Sequence, residues 1–207
     1  MFNHLFENIQ SSIFLKSMPK YVTVFGSAKK VFENNHEFGD MAFKVGEELA
    51  KSNFTVMTGG GPGMMSKVNE GAYKINPKLS VGCKLNVVSE PPNKFMSKSV
   101  STHCLSIRKK VLLDNAIAYI VLPGGYGTLD ELFEVVTLIK VGIIKERRPV
   151  ILIDSNFWSP LINFINTRLK ENQIIVDHEV NLIQIVNHPH DIVDVLEKRT
   201  VCDGVYI

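Results

Sequence analysis

The sequence predicts an α/β fold, a parallel sheet between two helical layers in an αβα stack, and three observations carry that reading. Short β-rich runs alternate with longer helical patterns from end to end, the order that builds parallel strands with helices on both faces. Strand runs such as Ala118–Leu122 are continuously apolar, as strands covered on both faces are. Two glycine-rich turns, Thr58–Gly63 (TGGGPG) and Pro123–Thr128 (PGGYGT), each close an apolar run and open a helical one. Ligands of such sheets sit at that junction, outside the carboxyl ends of the strands.

Residues 1–18 read as an N-terminal helix with Leu5, Ile9, Ile13 and Phe2 on one face, expected to pack on the domain or on a second subunit. Tyr21–Phe25 is the first strand. His36–Ser52 follows as a helix, with Phe38, Met41, Val45 and Leu49 at helical spacing. Phe54–Met57 is a strand. Pro62–Ile75 is a helix with proline at its start, where the missing N–H costs nothing. Leu79–Leu85 is a strand, Asn86–Ser101 a loop near the pocket mouth containing Pro91-Pro92, and Thr102–Leu105 a short strand. A helix over 106–116, capped by Ser106, leads into the strand Ala118–Leu122. The helix Leu129–Ile144, the strand Val150–Ile153, the helix Phe157–Glu171, a last strand Val180–Val186 and a last helix Asp191–Lys198 complete the pattern. No linker interrupts it, so residues 1–207 are expected to form one domain.

Composition narrows the function. At 207 residues, with 45% hydrophobic and 21% charged side chains, the chain can bury one sizeable core. A formal charge of +2 gives no bulk electrostatic case for nucleic acid or a membrane surface. Cys83, Cys104 and Cys202 show no CxxC pair or metal-ligand spacing, and the scattered histidines add none, so reduced structural thiols and no metal are expected. The start lacks the basic-then-apolar layout of a signal peptide, and no apolar run approaches the ~18 residues of a membrane span. A cytoplasmic protein is expected.

Neither glycine turn spells GxGxxG or ends in GK[ST], which disfavours a standard dinucleotide site and a standard NTPase. Such turns serve tight βα connections as well as ligands. Backbone N–H groups at a helix start suit a phosphate, and Thr128 either caps that helix or turns its hydroxyl to an anion. Glu131 falls at the border between the apolar stripe Leu129, Leu132, Val136, Ile139 and the polar face Asp130, Glu134, Thr137. A carboxylate there is placed for a ribose hydroxyl or a water. Arg108, Lys109 and Lys110 stand near a helix start, where cations oppose the dipole by roughly 0.3–1 kcal/mol each. A bound anion reverses that sign; a solvated basic surface is the plain alternative.

Phe25-Gly26-Ser27-Ala28, then TGGGPGMM (Thr58–Met65), Arg108-Lys109 and PGGYGTLDE (Pro123–Glu131) occur in this order, and over about Tyr21 to Asn163 the chain resembles the Lonely Guy family, often mislabelled "lysine decarboxylase". A pyridoxal-type decarboxylase needs a much larger chain and a dedicated Schiff-base lysine. The resemblance implies a Rossmann-like fold, a homodimer or larger homo-oligomer, and a phosphoribohydrolase. Such an enzyme cleaves the N-glycosidic bond of cytokinin riboside 5′-monophosphates or AMP without a cofactor. It implies that Arg108 and Glu131 are catalytic. It implies that Gly124, Gly125, Tyr126, Gly127 and Thr128 cradle the 5′-phosphate with Thr137 nearby, and that Gly26, Ser27, Gly60, Gly61, Glu90 and Lys109 contact substrate. Leu105-Ser106 stand where plant-type members carry Met-His, which leaves the base open. The alternative is a non-hydrolytic binder of a nucleotide or of a phosphorylated pterin cofactor; a DNA-processing protein is weakened by the lack of basic excess.

Overall fold

Tyr21–Phe25 forms the strand β1, and every one of its side chains is buried, because it runs through the middle of the molecule. The computed structural model describes residues 2–34, 36–86, 93–144 and 148–203. Their elements in order are α1 (Phe2–Lys16), β1, a 3-10 turn (Lys30–Glu33), α2 (Glu37–Lys51), β2 (Thr55–Thr58), α3 (Met64–Ile75) and β3 (Ser80–Leu85). They continue with β4 (Lys98–Thr102), α4 (Leu105–Leu113), β5 (Ala116–Val121), α5 (Tyr126–Lys140), β6 (Val150–Ile153), α6 (Ser155–Phe164), α7 (Asp177–Val180), β7 (Ile183–Val186) and α8 (Pro189–Asp203). These strands form one seven-stranded sheet in the order β4-β3-β2-β1-β5-β6-β7, and every pairing is parallel. The chain builds outward from β1 to β4, returns to β5 beside β1, and builds outward the other way. The order therefore reverses between β1 and β5, the point where such sheets open a crevice at their carboxyl edge.

Alternation along β1 sends Tyr21 and Phe25 into one apolar layer and Val22 and Val24 into the other, as the two-residue period of a strand requires. The first layer includes Val111, Leu112, Leu132 and Trp158, and the second Val45, Leu49, Val68 and Leu196. Within the first, β1 fixes α4 by polar contacts: Tyr21 donates its hydroxyl to the Val111 carbonyl, and Thr23 Oγ1 donates to the Leu112 carbonyl at 2.6 Å. Both satisfy carbonyls at the last turn of α4 that have no intrahelical partner.

The three-layer α/β reading holds, and several element bounds differ. The strand expected at Thr102–Leu105 lies earlier, at Lys98–Thr102, inside the expected loop. Its burial alternates exposed-exposed-buried-exposed-buried, because it is an edge strand with a polar outer face, so its sequence carries no continuous apolar run. Helix α3 starts at Met64, since Gly63 takes φ +70° and cannot be helical. Helix α4 starts at Leu105 after Cys104, so Ser106 is its second residue and not its cap. Helix α5 starts at Tyr126 after an extended Gly125, which makes Thr128 a first-turn residue instead of the cap. Helix α1 packs through Ser11, Phe14 and Leu15; Ile9 and Ile13 of the expected inward face are 50% and 63% exposed. Its Glu7 accepts from Thr102 Oγ1 at 2.5 Å and from the His103 amide at 3.2 Å. Among the described residues no helix is long and apolar enough to cross a membrane.

Candidate active site

The two glycine turns meet at Ser27. Leaving β1, Ser27 donates its N–H to the Pro123 carbonyl at 3.4 Å and accepts from the Met64 N–H at 2.9 Å. One residue thus ties the second turn to the helix that follows the first. Gly26 sits between Leu122 and Met64 with little room for a Cβ. Both turns stand at the carboxyl ends of their strands, the first after β2 and the second after β5, on either side of β1.

The turns are alike in composition and differ in how many of their N–H groups the chain itself satisfies; in the first, Gly59 and Gly61 are left without an acceptor among the described residues. In the first, Gly60 donates to Thr58 Oγ1 at 3.0 Å and Gly63 donates to Glu33 Oε1 at 2.7 Å. A carboxylate of this chain thus already occupies the positive end of α3. Thr58 belongs to a buried polar cluster: its hydroxyl donates to Asn69 Oδ1 at 2.5 Å, and Asn69 Nδ2 donates to Ser80 Oγ at 2.9 Å and to the Val81 carbonyl at 3.2 Å. Asn93 Nδ2 donates to the same Asn69 Oδ1 at 2.9 Å. The first turn is held rigid by its own chain. In the second, the N–H groups of Gly124, Gly125, Tyr126, Gly127 and Thr128 have no hydrogen-bond acceptor among the described residues. Gly125, Tyr126 and Gly127 are exposed and Thr128 is buried. A cluster of open donors at a helix start fits an anion.

Arg108 joins the two turns electrostatically. From α4 its guanidinium donates through Nε to the Cys83 carbonyl at 3.2 Å, through Nη2 to the Gly59 carbonyl at 3.4 Å, and through Nη1 to Glu131 Oε1 at 3.2 Å. Nη2 thus rests on a carbonyl of the first turn, and a Cβ on Gly59 would run into it. The side chains of Arg108 and Glu131 are both 12% exposed. Burial pushes the Glu131 carboxyl up to about 7, and the Arg108 charge opposes that shift without cancelling it. The ion pair and the raised carboxyl point opposite ways; burial is the larger effect because a single guanidinium shared among three acceptors solvates a carboxylate poorly. A carboxyl poised near neutrality is what proton transfer at neutral pH requires. Beneath it, burial raises the Cys83 thiol to about 12, which leaves it inert as a nucleophile.

Other residues singled out from the sequence fall in different places. Lys109 points along α5, with Nζ 2.9 Å from Glu134 and 3.1 Å from Asp130, and these partners raise its pKa. Thr137 lies nine residues beyond Thr128 on α5, ~13 Å along the axis. It lines an outer groove of about 580 Å³ with Lys109, Tyr126, Phe133 and Leu138, so within one chain it does not join the cradle. Gly61 is buried beside Gly60. Glu90 lies outside the described residues. Lys84 and Met96, which the sequence reading passed over, crowd the first turn: Lys84 Cγ and Met96 Sδ stand 2.9 Å and 3.5 Å from where a Cβ on Gly60 would be. Lys84 lies near the end of β3, and nothing in the pattern of that strand marks it.

Comparison with known proteins gives this site a context. The model of a family described as "possible lysine decarboxylase" matches residues 65–196. The cytokinin riboside 5′-monophosphate phosphoribohydrolase LOG7 of Arabidopsis thaliana is 30% identical over 77% of this chain and 73% of its own length. The enzyme LOG of Oryza sativa subsp. japonica is 31% identical over 73% of this chain and 62% of its own. The chain belongs to the Lonely Guy family. Among solved structures, the molybdenum cofactor binding protein of Rippkaea orientalis superposes with a TM-score of 0.64 at 19% identity, covering 88% of this chain and 98% of that one. That likeness shows a shared fold. Both the enzymes of the family and a cofactor-binding protein thus stand among the similar proteins of this Lonely Guy chain.

Proposed function

We propose that this Lonely Guy family chain is a nucleoside 5′-monophosphate phosphoribohydrolase, acting as a single nucleotide-binding domain and releasing free base and ribose 5-phosphate. The observation that carries the reading is the Arg108–Glu131 contact at 3.2 Å, set between a rigid glycine turn and an open one. The 5′-phosphate sits on the free N–H groups of Gly124–Thr128, where the start of α5 favours negative charge. That anchor brings the ribose over Glu131. As the bond from C1′ to the base nitrogen breaks, the sugar becomes oxocarbenium-like, and the Glu131 carboxylate stabilises its positive charge. Water adds to C1′ and gives a proton to Glu131; the base leaves with the bonding electron pair and takes its proton from solvent, and Glu131 then returns its own proton to solvent. Arg108 supports the departing negative charge or the phosphate. Its three acceptors hold it in place before substrate arrives, which is the preorganisation such a step needs.

Cytokinin riboside 5′-monophosphate and AMP are the substrates that the relatives' names and the family resemblance suggest. The outer groove of α5, with Tyr126 93% and Phe133 40% exposed, is an apolar surface beside the site and supports a homodimer that covers it. The deciding experiment is release of ribose 5-phosphate from a panel of nucleoside 5′-monophosphates by purified protein. Release by the wild type and loss of a hundredfold or more in Glu131→Gln and Arg108→Ala, both still folded, supports the proposal. Tight nucleotide binding with no base release makes the protein a carrier instead.

A further inference from the structure

Asn69 lies on the buried face of α3 with Met65, Val68 and Ala72, and is 0% exposed. A side-chain amide has two acceptor positions and two donors, and here all four are used. Oδ1 accepts from Thr58 Oγ1 at 2.5 Å and from Asn93 Nδ2 at 2.9 Å. Nδ2 donates to Ser80 Oγ at 2.9 Å and to the Val81 carbonyl at 3.2 Å. A buried polar group so fully satisfied fixes one arrangement of the groups it joins. Those groups belong to two neighbouring strands. Thr58 closes β2, and its hydroxyl accepts the Gly60 N–H at 3.0 Å; Ser80 and Val81 open β3. Gly59 is held between Thr58 and Gly60, and Cys83 stands two residues beyond Val81. The carbonyls of Gly59 and Cys83 are the backbone acceptors of Arg108, 3.4 Å from Nη2 and 3.2 Å from Nε.

We infer that Asn69 is a positioning residue for Arg108: its amide ties the end of β2 to β3 and so sets the two carbonyls on which the guanidinium rests. It touches neither substrate nor the reacting atoms. Its effect on rate rests on the hydrolase reading above; its effect on the placement of Arg108 does not. The second glycine turn lies outside this network, so a change at Asn69 leaves the phosphate seat intact. A guanidinium displaced by about 1 Å lowers turnover on the order of a hundredfold. The displacement also withdraws from Glu131 the positive charge that opposes its burial. The other charges bearing on Glu131 are Asp130 and Lys109, and neither belongs to the network.

The test uses Asn69→Ala, a second pair at the same joint, Thr58→Val without the hydroxyl and Thr58→Ser with it, and Val68→Ala as a core truncation of the same helix. Thermal midpoints verify folding, and should Asn69→Ala not fold, the Thr58 pair decides by the same readings. In Asn69→Ala and Thr58→Val, kcat on nucleoside 5′-monophosphates should fall about ten- to a hundredfold with KM changed less than about threefold. The rise of kcat/KM with pH should move upward by about half a pH unit or more, because Glu131 loses part of its counter-charge. Thr58→Ser and Val68→Ala should keep the wild-type profile. A profile unmoved in Asn69→Ala and Thr58→Val, or moved as far in Val68→Ala, overturns the inference, since a loss of folded protein lowers kcat and leaves the profile in place. If the wild type hydrolyses no nucleotide, the hydrolase reading fails on its own. Crystal structures of the wild type and the two variants then decide the positioning role: an Arg108 guanidinium withdrawn from the Gly59 carbonyl supports it, and the same contacts in all three sink it.

Discussion

Replacing Glu131 by glutamine should make the protein more stable at alkaline pH while destroying its activity. The carboxyl titrates near 7 in the folded chain against an ordinary value of 4.5, chiefly because burial disfavours its charge. That gap corresponds to ~3 kcal/mol. The sign follows from which state holds the proton. Below about pH 4 the group is protonated in both folded and unfolded chains, and the amide, which has the shape of the neutral acid, changes little. Between about pH 4.5 and 7 the unfolded chain ionises first, so the wild type loses stability as pH rises. Above about pH 7 the folded chain carries the full cost of a buried carboxylate. Denaturant unfolding of both proteins across this range is the assay. The advantage of Glu131→Gln should grow from a few tenths of a kcal/mol at about pH 4 to ~3 kcal/mol at about pH 8. A difference flat with pH would refute the claim that burial outweighs the guanidinium. A variant less stable than wild type at about pH 8 would show that the Arg108 pair is a net stabiliser. A group that costs stability where it works is the usual signature of a functional carboxyl.

Three other outcomes follow from the same geometry. Because the Glu131 carboxylate must be ionised to take a proton from water, kcat/KM should rise with pH through about 7; a profile flat from about pH 5 to 9 removes it from the proton-transfer step. Gly59→Ala puts a methyl group where Arg108 Nη2 lies. It should cost ~1–3 kcal/mol of stability and lower turnover on the order of a hundredfold through a displaced guanidinium; wild-type turnover in a folded variant would show that the fork need not rest on this turn. On the homodimer proposal, Phe133→Asp on the outer groove of α5 should lower the mass read by light scattering from dimer to monomer; a wild type that is already monomeric, or a dimer unchanged by the variant, refutes this groove as the subunit contact.

What could be read from the chain depended on whether the cause of a feature was local. Strands β1 and β6 have the bounds their apolar runs suggest, since a strand covered on both faces announces itself in four or five consecutive residues. Strand β4 did not, because an edge strand needs only one apolar side. Its partner Glu7 lies some ninety positions earlier. The basic run at α4 was legible through its conflict with the helix dipole, and Arg108 does leave the helix to reach the sheet edge. Glu131 was legible through its place at the border of the α5 stripe. For Lys109 the same dipole argument had another answer, two acids on α5, which share no sequence neighbourhood with it.

The two glycine turns make the limit concrete. Each ends a strand, each starts a helix, and each offers backbone donors, so composition treats them as equals. Whether donors form a cradle depends on whether the fold has already given them acceptors. For Gly63 the acceptor is Glu33, thirty residues upstream on a 3-10 turn, and for Met64 it is the Ser27 carbonyl beyond another strand. No local pattern records either. Once those acceptors are in place, the first turn is a fixed backbone surface, and its carbonyl at Gly59 becomes a support for Arg108. The second turn has no acceptor for its N–H groups among the described residues, and in the proposed function they serve a ligand. Under the proposed hydrolase function the division of labour is this: one turn supports the guanidinium of Arg108, and the other is left to seat the 5′-phosphate. Removing Glu33 would free an N–H at the wrong turn. It would offer phosphate a competing seat on the far side of Arg108, which is a physical reason for an acid to stand at that helix start.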